Sequence, residues 1–341
     1  MCGGGLEEAL SIKQTHCVNG IFILFVFLVH IKWFMLLPLG YTFQINIDGM
    51  YSKFFECVGQ LIVVPFLFYS GYGIVERIKE DSQYIKDFAT HRILPLYLNF
   101  LIALVCYIIL NILIIGGACI TSYTLLKSVF FQYSFGNPTW FLFATFYLYI
   151  VSWLVFRNCN NRMYCVIYLT LSCAIYVYCM RLRIRPTFWY NTIFSYAYGT
   201  FVSLYKQEIV AIVKKHFFNC IWICALLFVS LKVIKSDMCG MRENLAGMAF
   251  ISIVVLVTYK FEINNTIIMW MGTHVFPIYM YHLLYFFLFK NLLKNPINYR
   301  DAHIAVVISF IMTCLTAYLF KFWRIRSISW LKNFFVFMLK K

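Results

Sequence analysis

The sequence has 341 residues, of which 62% are hydrophobic and only 12% are charged, and its formal net charge is +16. Soluble domains contain about 25% charged residues, so this composition excludes an ordinary soluble protein and predicts a polytopic membrane protein. The basic residues lie in short segments between apolar runs, where anionic lipid head groups account for them. We therefore predict the lipid bilayer, and no nucleic acid, as a partner.

The apolar runs predict an all-α fold with about ten transmembrane helices, because a helix of roughly 20 apolar residues crosses a bilayer. Residues 1–16 are predicted to be a cytoplasmic N-terminal segment, 17–320 the transmembrane domain, and 321–341 a basic amphipathic tail lying in the membrane interface. The predicted spans are 17–37, 54–75, 93–116, 138–156, 163–180, 187–205, 218–234, 244–259, 266–289 and 302–320.

The distribution of basic residues predicts the orientation. With the N-terminus inside, 17 basic residues lie on the cytoplasmic side and 11 on the outer side. Lys and Arg are retained preferentially in cytoplasmic loops, so both termini are predicted to be cytoplasmic. The 13 cysteines are scattered, mostly inside apolar runs, without zinc-type spacing, and we predict small buried side chains and no metal site.

The first predicted span carries polar residues. His30 and Lys32 lie inside it, and Asn19 lies eleven residues before His30, which is close to three helical turns and therefore on the same face. Ionisable side chains within a span are costly and indicate a functional site. In the predicted orientation, His282 and Glu56 fall in the same outer half of the membrane as His30.

These three groups suit acid–base chemistry. A neutral imidazole is the usual general base near pH 7, and a carboxylate on the other ring nitrogen would orient it. The alternative is that each histidine is only a polar group hydrogen-bonded to a neighbouring helix, and that Glu56 faces lipid head groups.

The loop after the second predicted span, ERIKEDSQYIKDFATHR, is strongly charged. Its basic residues, Arg92 among them, could hold phosphate groups through charge-assisted hydrogen bonds or could form a solvated positive-inside loop. Ser70 and Tyr72 precede it in SGYG, whose glycines permit close approach of a second backbone. No GxSxG elbow or P-loop is present, which gives no support to a serine hydrolase or a nucleotide hydrolase.

Five stretches, in this order, resemble motifs of membrane-bound acyltransferase family 3, the integral O-acyltransferases of surface polysaccharides. They are NGIFILFVFLVH, VPFLFYSGYGI, HRILPLY, PTWFLFATFYLYI and MWMGTHVFPIYMYHLLYF. The first places His30 on the essential histidine of the family, and the last places His282 on a second histidine. Two positions depart from the family pattern: Asn19 stands where a basic residue is usual, and Pro95 stands where a second arginine would follow Arg92.

The resemblance implies transfer of an acyl group across the membrane. Acetyl-CoA, or another acyl-CoA, would be the cytoplasmic donor, with no bound cofactor. A hydroxyl of a cell-surface or lipid-linked polysaccharide would be the acceptor on the outer side of a bacterial inner membrane. His30 would act as the base and Glu56 as its orienting carboxylate. The substrate-binding residues would be Asn19, Ser70, Tyr72, Arg92, Trp140 and His282.

Two other functions remain open from the sequence. A transporter or flippase for a lipid-linked sugar would share the spans and the buried polar groups, although the inverted repeats with broken helices that favour such a protein are not visible. A catalytically degenerate homologue is favoured a little by the departures at Asn19 and Pro95.

Overall fold

The computed structural model describes residues 10–43, 47–234 and 240–339, and within these ranges it contains thirteen α-helices and no strand. The helices are α1 (Ile12–Ile31), α2 (Ile47–Val58), α3 (Val64–Glu80), α4 (Leu94–Ile115), α5 (Ser122–Val129), α6 (Trp140–Asn158), α7 (Arg162–Leu182), α8 (Phe194–Leu204), α9 (Lys206–Val233), α10 (Met241–Lys260), α11 (Thr266–Thr273), α12 (Val275–Leu292) and α13 (Tyr299–Leu339).

Eight helical segments in the described ranges are long and apolar enough to cross a membrane. This confirms the predicted all-α polytopic fold. The segments are Ile12–Leu36, Gly59–Glu80, Ala89–Ile115, Trp140–Asn158, Arg162–Leu182, Lys206–Val233, Met241–Lys260 and Tyr299–Arg324.

The other two predicted spans, 187–205 and 266–289, are not single helices. The second is divided into α11 and α12 at His274, whose φ of −113° and ψ of 22° are not helical. Pro277 explains the break, because proline has no N–H to donate and its ring clashes with the carbonyl group four residues earlier, at Thr273.

The span predicted at 187–205 becomes a 3₁₀ turn, Thr187–Trp189, followed by the short helix α8. The irregular backbone between them is held by the buried side chain of Asn244. Its oxygen accepts a hydrogen bond from the Phe194 amide at 3.1 Å, and its nitrogen donates to the Tyr190 carbonyl at 3.0 Å. Non-helical backbone at membrane depth requires such internal partners.

The last helix, α13, runs from Tyr299 to Leu339 without interruption. No helix end therefore marks the predicted boundary at residue 320 between the last span and the tail. The interfacial position of the tail stays a prediction, and residues 1–9 of the predicted N-terminal segment lie outside the described ranges.

The chain folds into two compact units. Among the described residues, the first unit takes those within Met1–Phe22, Cys57–His91 and Phe143–Thr273, and the second takes those within Ile23–Glu56, Arg92–Leu142 and His274–Lys341. The first half of α1, together with α3, most of α6 and α7 to α11, therefore belongs to the first unit. The second half of α1 joins α2, α4, α5, α12 and α13 in the second unit.

Glycines allow two close helix contacts in the first unit. A Cβ atom on Gly272 of α11 would lie 1.7 Å from the carbonyl oxygen of His16 on α1, and one on Gly20 would lie 1.9 Å from that of Ile268. Only glycine permits backbones to approach this closely, as in the small-residue interfaces of other membrane helices.

The SGYG segment has the same role between α3 and α8. A Cβ on Gly71 would lie 2.2 Å from the Tyr196 carbonyl oxygen, and one on Gly199 would lie 2.0 Å from that of Phe68. A Cβ on Gly73, two residues further along α3, would have no atom of the described chain within 4 Å. The first glycine of SGYG is therefore a packing requirement and the second is not.

Candidate functional site

Two histidines are in direct contact in the second unit. The Nδ1 atom of His30, at the end of α1, lies 2.6 Å from Nε2 of His282 on α12. The rings are nearly parallel, with an interplanar angle of 15° and centroids 4.9 Å apart. His282 is buried and His30 is partly exposed. The structure thus brings together two of the predicted site residues.

The hydrogen bonds of the pair define its proton positions. Nδ1 of His282 lies 3.1 Å from the carbonyl oxygen of Ile278, and a carbonyl oxygen only accepts. His282 therefore carries its proton on Nδ1, and Nε2 of the neutral ring is an acceptor. The Nδ1 atom of His30 must then donate to it, which leaves the lone pair of His30 on Nε2. Nε2 is the atom at which His30 can take up a proton.

Aromatic rings surround the pair. Phe27 packs on Phe286 with centroids 5.1 Å apart and lies 6.4 Å from the ring of His282. Tyr279, one turn before His282 on α12, lies 5.9 Å from the ring of His282 and 6.4 Å from that of His30. This apolar lining lowers the polarity around the buried His282, which strengthens the hydrogen bond of the pair.

The hydroxyl of Tyr279 is buried and has no hydrogen-bond partner in the described part of the chain. A buried unpaired polar group is costly, so this hydroxyl is available to a bound molecule. The sequence analysis did not select Tyr279. Its spacing from His282 could have identified it, because residues three apart on a helix share a face and His282 follows Tyr279 by three residues.

The structure corrects the role predicted for Glu56. Among the described residues, Glu56 is hydrogen-bonded to Lys32 at 2.7 Å and to Ser52 at 3.2 Å, and not to His30. It also lies in α2, ahead of the membrane-spanning segment Gly59–Glu80 rather than within it. His30 and Lys32 are two residues apart, so their side chains leave the helix on opposite sides. Because α2 lies on the side of Lys32, Glu56 meets Lys32 and not His30.

Lys32 is buried, with 3% of its side chain exposed, whereas 57% of Glu56 is exposed. Its ammonium group also bonds the hydroxyl of Ser52 at 2.6 Å and lies 5.1 Å from the ring of Trp33. The hydrogen bond from Lys32 lowers the pKa of the Glu56 carboxyl below its usual value. A buried cation is stable only when paired in this way.

Trp140 and Arg92 also belong to the second unit. Trp140 begins α6, and the next residue, Phe141, packs on Tyr279 with ring centroids 5.3 Å apart. The segment that carries Trp140 therefore borders the histidine pair. Arg92 is exposed in the π-helical turn Ala89–Ile93.

The remaining predicted residues, Asn19, Ser70 and Tyr72, lie in the first unit. The hydroxyl of Ser70 donates to that of Tyr149 at 3.0 Å. The side-chain oxygen of Asn19 is buried without a hydrogen-bond partner among the described residues. The ring of Tyr72 lies 5.8 Å from the ammonium group of Lys206.

Lys206 belongs to a cluster of two lysines and one glutamate that the sequence analysis did not identify. The Glu76 carboxylate accepts hydrogen bonds from Lys206 at 3.0 Å and from Lys79 at 2.9 Å. The hydroxyl of Ser203 donates to it at 2.6 Å. One carboxylate balances two ammonium groups, so a net positive charge remains beside Tyr72.

These observations define an all-α polytopic membrane protein with a candidate general base, His30, in its helical domain. Residues 16–322 match the model of acyltransferase family 3, which describes an acyltransferase domain. The chain belongs to this family and is a membrane acyltransferase, as the resemblance of its motifs predicted. Comparisons with curated proteins and with solved structures gave no match.

Proposed function

We propose that the protein is an O-acetyltransferase that uses cytoplasmic acetyl-CoA to acetylate a hydroxyl of a cell-surface or lipid-linked polysaccharide. Its place would be the bacterial inner membrane, with both termini in the cytoplasm. The observation that carries the proposal is the hydrogen-bonded pair of His30 and His282, together with the acyltransferase family of the chain.

The pair supports a direct general-base mechanism. Nε2 of His30 takes the proton of the acceptor hydroxyl while the hydroxyl oxygen attacks the thioester carbonyl carbon. The new C–O bond forms, the C–S bond breaks, and the proton passes from His30 to the departing CoA thiolate. His282 accepts a hydrogen bond from Nδ1 of His30 throughout, and this bond strengthens when His30 becomes a cation. His282 is thus the positioning residue that the sequence analysis sought in Glu56.

The cluster of Lys79, Lys206 and Glu76 supports a contact with the donor. Its residual positive charge suits a phosphate of CoA, and so do the N–H donors of the Lys206 ammonium group that Glu76 does not use. The Lys79 ammonium group already donates to Glu76 and to the carbonyl oxygen and hydroxyl of Ser203. The cluster would supply, from α3 and the start of α9, a positive charge of the kind that the family usually has at the positions of Asn19 and Pro95. Arg92, exposed in the second unit, remains the CoA phosphate contact that the family resemblance implies.

The test compares O-acetyl content of the surface polysaccharide in a deletion strain complemented with wild type, His30→Ala or His303→Ala. His303 is the control, because it is exposed on α13 and bonds only the Tyr299 carbonyl among the described residues. We expect acetylation to return with wild type and with His303→Ala, and not with His30→Ala at equal membrane expression.

Purified protein separates this proposal from its rivals. Transfer of labelled acetyl from acetyl-CoA to a polysaccharide acceptor supports an acetyltransferase. A deletion that alters polymer export while acetyl content stays constant would indicate a transporter. Absence of both effects would indicate a catalytically degenerate family member.

A further inference from the structure

An apolar cavity of about 230 Å³ lies in the first unit between α3, α8, α9 and α10. Its walls include Phe68, Val202, Ile212, Cys224 and Leu256, one or more from each helix. An apolar cavity of about 150 Å³ is large enough to bind benzene. This cavity can therefore hold a longer piece of hydrocarbon.

The polar side chains of the wall are already satisfied. The Tyr198 hydroxyl and the Ser252 hydroxyl are 2.7 Å apart, and Ser252 also lies 2.9 Å from the Met248 carbonyl oxygen. Ser252 can therefore donate to the carbonyl and accept from Tyr198. Water in the cavity would have only the weakly bonding thiols of Cys220 and Cys224 as further partners, so the cavity favours an apolar occupant.

The cavity is partly open along a peripheral helix. None of the most apolar stretch of α9 is buried by the described parts of the chain. Within α9 the backbone leaves helical geometry at His216, with φ −130° and ψ 36°. Val213 before this kink and Cys220 after it both line the cavity. Hydrocarbon from the surrounding bilayer can therefore reach it beside the kink.

Positive charge is concentrated at the same kink. Lys214 and Lys215 directly precede His216, and both are exposed. Lys260, at the end of α10, places its ammonium group 5.0 Å from the ring of Phe217, the residue after the kink. Two lysines therefore precede the kink in sequence, and a third packs on the residue that follows it.

The acidic residues nearest to these lysines in sequence have partners elsewhere. Glu208 lies 3.9 Å from Arg162, and Glu262 lies 3.1 Å from Lys13. The charge at the kink is therefore available to an external anion.

We propose that the cavity binds one acyl chain of an anionic phospholipid, and that Lys214, Lys215 and Lys260 hold its phosphate. The apolar wall selects the chain and the adjacent lysines select the head group. The lipid belongs to the leaflet on the N-terminal side, because Leu10 also lines the cavity. It fills the space between α9 and its neighbours. The lining of the cavity includes neither histidine of the pair.

The test is native mass spectrometry of the full chain released from nanodiscs of phosphatidylglycerol or of phosphatidylcholine. We expect wild type to retain one phosphatidylglycerol, and Cys224→Phe, which fills the cavity, to lower the retained fraction at least fivefold. Ile223→Phe is the matched control, since Ile223 is 64% exposed and does not line the cavity. The double variant Lys215→Gln/Lys260→Gln should lose the preference for phosphatidylglycerol.

Equal lipid retention by wild type and Cys224→Phe would overturn the proposal. So would displacement of the lipid by equimolar palmitoyl-CoA, which would assign the cavity to a long-chain acyl donor instead. Ile212→Trp fills the cavity from an exposed position, so it replaces Cys224→Phe if that variant does not fold. The melting temperature in phosphatidylcholine nanodiscs verifies that each variant is folded.

Discussion

The ring of Tyr279 lies 5.9 Å from that of His282, one turn further along α12, and its hydroxyl has no hydrogen-bond partner in the described chain. In the proposed mechanism, this hydroxyl donates to the oxygen of the thioester carbonyl as negative charge develops there. Tyr279→Phe should lower kcat about 10²-fold, the usual loss for one such donor. Stability should not fall, because this buried hydroxyl has no hydrogen-bond partner that its removal would leave unsatisfied.

The control is Tyr281→Phe, because Tyr281 packs on Phe320, with ring centroids 5.4 Å apart, and lies on a different side of α12. Steady-state kinetics of acetyl transfer, with a melting curve for each variant, would measure both effects. A Tyr279→Phe enzyme with wild-type kcat would show that the hydroxyl has no part in the reaction.

His282 should act by orienting His30. In His282→Leu, Nδ1 of His30 loses its acceptor, so its proton position and ring angle are no longer held. We expect kcat to fall roughly 10²–10⁴-fold, the range attributed to a general base. In His282→Gln, the amide oxygen can still accept from Nδ1, and part of the activity should return. Equal activity of the two variants would contradict the orienting role.

The ion pair of Lys32 and Glu56 should stabilise the protein without taking part in catalysis. Glu56→Gln leaves the buried Lys32 ammonium without its counter-charge, so the melting temperature should fall, while the pH–rate profile should keep its shape. Lys32→Met/Glu56→Gln should recover much of the loss, because a neutral pair has no buried charge. Glu262→Gln, in an exposed pair with Lys13, is the control and should change little.

The pH dependence of this stabilisation follows from the lowered pKa of Glu56. A carboxyl whose pKa is lower in the folded than in the unfolded protein stabilises the fold above its ordinary pKa of about 4.3. The contribution is lost as the pH falls through the lowered value. The difference in melting temperature between wild type and Glu56→Gln should therefore be constant near neutral pH and shrink in acid.

The two glycines of SGYG should respond differently to alanine. In Gly71→Ala the new Cβ would lie 2.2 Å from the Tyr196 carbonyl oxygen, so α3 and α8 must separate and the folded yield should drop. In Gly73→Ala the Cβ meets no atom of the described chain within 4 Å, and the higher helix propensity of alanine should stabilise α3 by about 0.5–1 kcal/mol. Fluorescence-detected size-exclusion yields would compare the two, and similar yields would refute the close contact.

Lys206 should contribute to binding of the donor. Lys206→Gln removes one ammonium group from the cluster at Glu76, and we expect the KM for acetyl-CoA to rise about fivefold or more while kcat changes little, as for loss of one charge-assisted contact. Lys206→Arg should restore the KM. Lys232→Gln, in a separate pair with Glu243, provides the control. An unchanged KM together with a lower melting temperature would show that the cluster stabilises the fold and does not bind the donor.

Much of the architecture was predictable, because it depends on patterns within single segments. The length of each apolar run set the membrane class and most of the spans, and five motifs in order, the one around His30 among them, identified the family. The breaks within the spans predicted at 187–205 and 266–289 depend on more than the length of an apolar run. The cause of the break at His274, Pro277, is visible in the sequence. The irregular backbone before α8, in contrast, has its hydrogen bonds from Asn244, some fifty residues away.

The sequence by itself determined which apolar runs carry polar groups, and it predicted their depth, since each residue advances a helix by about 1.5 Å. It predicted one level for His30, His282 and Glu56. Only the tertiary structure decided which of them touch, because contact also depends on the rotation of each helix about its axis and on its neighbours. That rotation turns His30 toward α12 and Lys32 toward α2. It gives His30, the candidate base, a histidine as its partner, and it leaves Glu56 paired with Lys32.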